Sequence, residues 1–402
     1  MKIGILTLHS QLNYGAVLQA YALQEYLQES GHTVVILDRW FDNENSWVWK
    51  NYKNRFSARN IFKGFIGTGV FQFWKRIKRT RKFLSEKLKL SPFHFVTWDD
   101  VNLNEIDLDL MIVGSDQVWN PEGDLDVFLV NTPRIRVPLA SYAASFGNFE
   151  FNNGQLDLLK SRLTSFAGIS VREQKGKEFL EKLGIVSTQV ADPVFLLTPE
   201  MWKERFPLKP EQHKRKLVCY FMENELDSYF PELIKFAEEK DCEVEILVNS
   251  YFMKMPKSLK ELKNYIQTKM SMYRNKVQIK FNADPAAFLK SFQSACWILT
   301  DSFHGTAFSV IFHKDFAVLK PQDPWRCSMF GRIEETCASY CESQCIYQEL
   351  KSALGSFSEN QHLCWKTCSV EEKINTSSEW LHDICMRASY LNANCNTEES
   401  LL

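Results

Sequence analysis

The sequence predicts an α/β protein of two doubly wound lobes facing each other across a cleft, and three observations predict it. At 402 residues the chain exceeds one ordinary hydrophobic core and suits two domains. Short apolar runs of strand length alternate with helical stretches through both halves. Between Thr198 and Lys216 the composition turns polar, with Pro199, Pro207 and Pro210 marking a boundary. The expected units are a first lobe at 1–200 with a basic insertion at 55–95, a second lobe at 211–345, and a cysteine-containing helical tail at 346–402.

The first lobe opens on "KIGILTL" (2–8), a β-rich run ended by the polar turn "HSQLNYG". "AVLQAYALQEYLQESG" follows, with Ala16, Ala20, Leu23 and Leu27 on one helical face and Gly31 closing the helix. "TVVILD" (33–38) is the next strand, and a helix-length connection between two strands implies parallel pairing through a right-handed crossover. "LMIVG" (110–114), "VPLASYA" (137–143), "GISVR" (168–172) and "TQVA" (188–191) continue the series. The second lobe repeats the alternation: "KLVCYFM" (216–222), a helix near 228–240, "EVEILV" (243–248), "VQIKF" (277–281), a helix near 284–294, "CWILT" (296–300) and "FAVL" (316–319). There is no internal repeat.

Hydrophobic content of 45%, 24% charge and a formal net charge of -1 describe a soluble globular chain with no overall bias toward nucleic acid or acidic partners. "MKIGILTLHS" falls short of a signal-peptide core, and no stretch reaches the ~18 apolar residues of a membrane span, so a cytoplasmic location is expected. Charge is local instead. Residues 61–89 hold nine Lys/Arg against one Glu, close to Phe62, Phe65, Phe71, Phe73 and Trp74. This stretch reads either as a solvated insertion helix closing over the cleft or as a surface for peripheral docking on the inner face of an anionic membrane.

Of the eleven cysteines, Cys219, Cys242 and Cys296 sit in apolar or strand-like surroundings that suit small hydrophobes. The other eight follow residue 326. Cys337, Cys341 and Cys345 recur every four residues, as do Cys364 and Cys368, which on a helix lines the thiols along one face. The compact C-x2-C spacing of zinc and iron-sulfur sites is missing, so buried reduced thiols rather than a metal are expected.

In open α/β sheets ligands bind beyond the carboxyl ends of strands, so chemistry is sought in four segments. Asn13-Tyr14-Gly15 precedes a helix N-terminus, which caps a helix and can equally receive an anion. "GSDQVWN" (114–120) adds Gln117 and Trp119 to the turn formers Gly114, Ser115, Asp116 and Asn120; an amide and an indole suit hydroxyl recognition and stacking on a sugar, and Asp116 is the candidate base. Arg172, ending "GISVR", either pairs with Glu173 or Glu178 or offers a fork to a carboxylate or phosphate. In "TDSFHGTAFS" (300–309) Asp301 and Ser302 are capping residues, Gly305 permits close backbone approach, and His304 lies in the first helical turn, where the amides attract anions.

"LNYGAVLQAYAL", "IVGSDQVWNP", "SYAASFG", "ISVRE", "ADPVFLL" and "TDSFHGTAFSVIF", in this order, resemble the polysaccharide pyruvyl transferase family from residue 3 to about 335. The resemblance implies two Rossmann-like lobes in a GT-B-like arrangement. It also implies transfer of the enolpyruvyl group of phosphoenolpyruvate onto two hydroxyls of a hexose in a cell-surface polysaccharide or its lipid-linked precursor, giving a pyruvate ketal and phosphate. His304 and Arg172 would contact phosphoenolpyruvate, while Asn13, Tyr14, Asp116, Gln117 and Trp119 would line the opposite side of the cleft. The donor's carboxylate and phosphate call for cations and helix-end amides, a protonated histidine could serve as acid, and no cofactor is demanded. An asparagine and an arginine expected before a C-terminal helix reduce here to Arg332 in "CSMFGRIEET", a second anion ligand. A nucleotide-sugar glycosyltransferase of the same architecture and a non-catalytic saccharide-binding protein are the competing readings.

Overall fold

The computed structural model describes residues 1–40, 70–101, 107–209, 215–222, 226–248, 259–357 and 366–399. Strands β1 (Lys2–Leu6), β2 (Thr33–Arg39), β3 (Leu90–Phe95), β4 (Leu110–Val113), β5 (Leu139–Ala144), β6 (Gly168–Val171) and β7 (Thr188–Gln189) form one parallel sheet in the order β3-β2-β1-β4-β5-β6-β7. A second parallel sheet joins β8 (Lys216–Phe221), β9 (Glu243–Val248), β10 (Val277–Lys280), β11 (Trp297–Thr300), β12 (Asp315–Leu319) and β13 (Ile346–Tyr347) in the order β10-β9-β8-β11-β12-β13. Strand order reverses between β1 and β4 and again between β8 and β11. In a doubly wound sheet those reversals open the crevices where ligands sit.

Local sequence explains the elements that shape these crevices. Helix α1 (Tyr14–Glu29) starts where the Asn13 carboxamide accepts from the amides of Gly15 and Ala16 at 2.9 and 3.4 Å. Its C-terminal turn ends at Gly31, whose φ of 86° lies in the left-handed region that glycine enters without steric cost. Helix α2 (Val70–Lys87) carries the basic insertion, and Phe62 and Phe65 of that stretch lie outside the described residues. The edge strand β3 follows it and was not predicted. Its "LSPFHF" includes Pro92, which an edge position tolerates because no partner needs the missing N–H.

The lobes are clamped around Tyr14. Its hydroxyl donates to the Val248 carbonyl at 3.3 Å, and its ring stacks on Phe288 of the second lobe at 5.0 Å. Arg76 of α2 lies over the other face at 4.2 Å and donates to Val248 O at 2.8 Å and Leu12 O at 2.5 Å. A single buried cluster, running from Ile5 and Val17 to Tyr220 and Phe308, crosses the junction.

The C-terminal expectation needs correction. β13 pairs with β12, Val318 opposite Ile346, so a boundary at 345 cuts through the second sheet. The final helix, Thr367–Glu399, leaves that lobe and returns to the first: Ser377 Oγ accepts from Ala191 N at 2.8 Å, and Asn392 Nδ2 donates to Asp109 O at 2.8 Å. Cys337, Cys341 and Cys345 are buried free thiols, whereas Cys364 and the Cys368 side chain lie outside what is described. No described helix is long and apolar enough to cross a membrane.

Arg76→Met would keep the aliphatic packing but remove the Arg76 donor from Leu12 O and leave Val248 O with the Tyr14 hydroxyl alone. Stability should fall by roughly 1–3 kcal/mol, the cost of an unpaired polar group. Chemical denaturation measures it, and an unchanged midpoint would show that the Arg76 bridge does not hold the lobes.

Candidate active site

Side chains from strand ends of both lobes meet. After β4 the chain turns at Gly114, whose φ is 114° and where a Cβ would fall 2.4 Å from Tyr142 O, and at Asp116, whose φ is 69°. The Asp116 carbonyl then accepts from Val118 N at 2.8 Å and Ser145 N at 2.9 Å, fixing its carboxylate at the sheet end. Arg172 leaves β6 with its amide on Ala144 O at 3.1 Å. Asp192 follows β7 and caps a short 3-10 turn, Oδ1 accepting from Val194 N at 3.1 Å. From the second lobe, Ser302 caps the helix Phe303–Ile311, its Oγ accepting from Gly305 N at 3.4 Å, which places His304 in the first turn. Gly305 has to lack a side chain, because a Cβ there would lie 2.2 Å from Thr300 Oγ1.

Asp192 is the hub. Its Oδ2 accepts from Arg172 Nη1 at 2.9 Å, lies 3.3 Å from Ser115 Oγ, and stands 3.7 Å from His304 Nε2, too far for a direct hydrogen bond. Asp192, Arg172 and His304 are 2%, 6% and 6% exposed. Arg172 also donates from Nε to Glu173 Oε1 at 2.9 Å and approaches Asp116 Oδ1 at 3.7 Å. Across the junction, Arg332 meets the Gln117 side-chain carbonyl at 3.0 Å when that amide is oriented to satisfy its neighbours. The Phe303 ring lies under the cluster, with the Arg172 and Arg332 guanidinium carbons 4.3 and 5.9 Å from its centroid and the His304 ring at 5.1 Å.

Charge is unevenly balanced there. Burial alone would raise the Asp192 carboxyl, but the neighbouring His304 and then the Arg172 guanidinium hold it well below the usual carboxylate range. Burial disfavours the Arg172 charge, yet Glu173, Asp192 and Asp116 more than restore it. Arg332 is less well matched: burial, reinforced by the Arg172 charge, pushes it down to about 10. Three buried nitrogens have no hydrogen-bond partner: Arg172 Nη2, Arg332 Nε and His304 Nε2. Buried nitrogens of this kind are ones that an anionic ligand can satisfy.

A polysaccharide pyruvyl transferase family profile matches residues 13–323. The chain belongs to the polysaccharide pyruvyl transferase family. No curated protein matches it in sequence. Among solved structures it resembles the UDP-GlcNAc 2-epimerase of Methanocaldococcus jannaschii at 14% identity and a TM-score of 0.53, over 96% of this chain and 99% of that one. The Neisseria meningitidis UDP-GlcNAc 2-epimerase, bound to UDP-GlcNAc, aligns at 11% and 0.50 over 96% and 100%. A Glycyrrhiza uralensis protein complexed with glycyrrhetinic acid 3-O-monoglucuronide aligns at 8% and 0.52 over 100% and 99%. These likenesses establish the GT-B fold of this pyruvyl transferase family member.

The fold brings Asp116, Arg172, Gln117, His304 and Arg332 into one cluster, and this corrects the expectation that Asp116 and Gln117 line the wall opposite Arg172 and His304. Trp119 is fully buried and donates to Phe128 O at 3.4 Å, so its indole packs the first core and offers no face to a sugar. Tyr14 is the interlobe clamp, Asn13 caps α1, and Asn120 shapes its own turn by accepting from Glu122 N at 2.9 Å. Gly15 acts by omission: a Cβ there would sit 2.0 Å from His304 Nδ1, so α1 abuts the imidazole only because this residue is glycine. Asp192 and Phe303 escaped the sequence reading of the site. The acid of "ADPVFLL", just past a short strand, was the available signal for the first. Among the described residues no group of three or more His, Cys, Asp or Glu could hold a metal.

Folding depresses the Asp192 carboxyl, so its contribution is complete above the unfolded-state pKa of about 4 and is lost as pH falls through the lower folded value. At neutral pH Asp192→Asn should cost roughly 3–5 kcal/mol, as expected for breaking a buried ion pair. That deficit should shrink progressively as pH drops below about 4. Urea unfolding at neutral and acid pH reads both, and a deficit independent of pH would rule out ion pairing as its source.

Proposed function

We propose that this family member transfers the enolpyruvyl group of phosphoenolpyruvate to two hydroxyls of a saccharide, forming a cyclic ketal and releasing phosphate. The observation that carries this reading is that three buried nitrogens without a hydrogen-bond partner, on Arg172, Arg332 and His304, belong to side chains that all lie near the Phe303 ring. A phosphate beside Arg332 would relieve the repulsion from Arg172, and Arg172 would donate to it from Nη2.

The roles follow from position. Protonated His304 delivers its proton to the methylene carbon as an acceptor hydroxyl adds to the central carbon. Asp116, whose carboxylate borders Arg172 at 3.7 Å, takes the hydroxyl proton. The second hydroxyl then displaces phosphate from that carbon, closing the ketal, and its proton leaves with the phosphate. Asp192 stays ionised and keeps both cations in place. Ser302 and Gly305 hold the helix end whose amides face the anion.

Phosphate release should require phosphoenolpyruvate and a glycan together, and the donor alone should raise the melting temperature by mass action. Arg172→Met should abolish the melting shift, whereas His304→Gln should keep most of it and lose turnover by ~100-fold or more, the usual worth of general acid catalysis. Stabilisation by uridine nucleotides without any response to phosphoenolpyruvate would favour a glycosyltransferase instead.

We also propose that helix α2 brings the protein to an anionic membrane carrying a lipid-linked acceptor. Lys75, Lys78, Arg79, Arg81 and Lys82 are exposed along it, and Lys78 Nζ lies 3.7 Å over the ring of exposed Trp74. Each such cation contributes about 1 kcal/mol at an anionic surface. Co-sedimentation should therefore need acidic lipid and should be lost in Lys78→Glu/Lys82→Glu. Binding indifferent to lipid charge would contradict this.

A further inference from the structure

The donor reading leaves one half of the donor without a partner. Phosphoenolpyruvate carries a phosphate and a carboxylate on three carbons, and the nitrogens above Phe303 account for one anion. A cavity of about 340 Å³ is lined by Arg172, Asp192, Phe303 and Arg332 and by the helix Gly331–Tyr340, with the beginning of the C-terminal helix as another wall; His304 is not part of its lining. That wall lies outside the residues the family profile covers.

Lys373 projects from it into the cavity. Its Nζ donates to Ser339 Oγ at 2.8 Å, and among the described residues no carboxylate lies within ion-pair distance of it. Glu335, the acid on the neighbouring helix, is engaged elsewhere: Oε2 accepts from Gln174 N at 3.1 Å and Oε1 accepts from the Gln189 amide. Burial lowers the Lys373 ammonium from its ordinary value, with Glu335 opposing. The position is also fixed. One turn on, Ser377 Oγ donates to Lys373 O and accepts from Ala191 N at 2.8 Å, the residue before Asp192. The face that presents Lys373 to the cavity is therefore pinned to the chain that carries the hub carboxylate.

We propose that Lys373 is a donor-binding residue that takes the carboxylate of phosphoenolpyruvate while the guanidiniums and His304 take the phosphate. The C-terminal helix is then a wall of the active site contributed after both lobes are complete. This rests on the donor reading given above, and the experiment separates the two.

Calorimetric titration of phosphoenolpyruvate and of inorganic phosphate into wild type, Lys373→Met and Lys373→Arg tests it, with melting temperatures confirming that each variant is folded. Lys373→Met should weaken phosphoenolpyruvate roughly 10- to 100-fold, the worth of a charged hydrogen bond, while phosphate affinity changes far less. Lys373→Arg should recover part of the loss. Wild-type affinity for phosphoenolpyruvate in a folded Lys373→Met overturns the proposal and leaves the donor reading intact. Equal weakening of both ligands overturns it as well, since Lys373 would then act only through general charge. Failure of the wild type to bind phosphoenolpyruvate overturns the donor reading and the proposal with it.

Discussion

A carboxylate sealed from water is tolerated only where cations and hydrogen-bond donors compensate it, and Asp192 is such a carboxylate. Arg172 supplies one charge from the same lobe, and His304 approaches from the other. The two lobes therefore share an electrostatic centre as well as an apolar seam. Asp192 fixes one edge of Arg172 and leaves the opposite edge, Nη2, without a partner. The anchoring of the guanidinium and the opening for a ligand thus come from one arrangement.

Packing makes that arrangement possible. The His304 side chain lies against the start of helix α1 because Gly15 has no side chain, and the imidazole occupies the space a methyl would need. Tyr14, one residue earlier, is gripped between Phe288 and Arg76. Positions 13 to 15 thus serve as cap, clamp and gap in succession. Their contribution to the site is positional, and none of it requires contact with substrate.

Much of this was legible in the sequence. Strand-length runs such as "LMIV" and "WILT", each ending in a capping or turn residue, pointed to both crevices; Arg172 was read as a charged fork at a strand end, and His304 from the capping residues and glycine around it. Misreadings came where a side chain suits two environments. Trp119 beside turn formers looks like a sugar platform, yet an indole is equally a large core residue, and only tertiary contacts with Phe146 and Phe166 decide between them. The hub acid was passed over because a lone Asp before Pro193 reads as a cap, which it also is. The return of the last helix to the first lobe has no local signature, since Ser377 and Asn392 find partners far away in sequence.

The central claim is that Arg172, Arg332 and His304, held by Asp192, form a ready-made receptor for the donor's phosphate. A crystal structure with phosphoenolpyruvate bound in the absence of acceptor tests it most directly. The account predicts phosphate oxygens within about 3.2 Å of Arg172 Nη2 and His304 Nε2, with the Asp192 contact to Arg172 unchanged. Donor density elsewhere, with those two nitrogens turned toward water or another side chain, would contradict it.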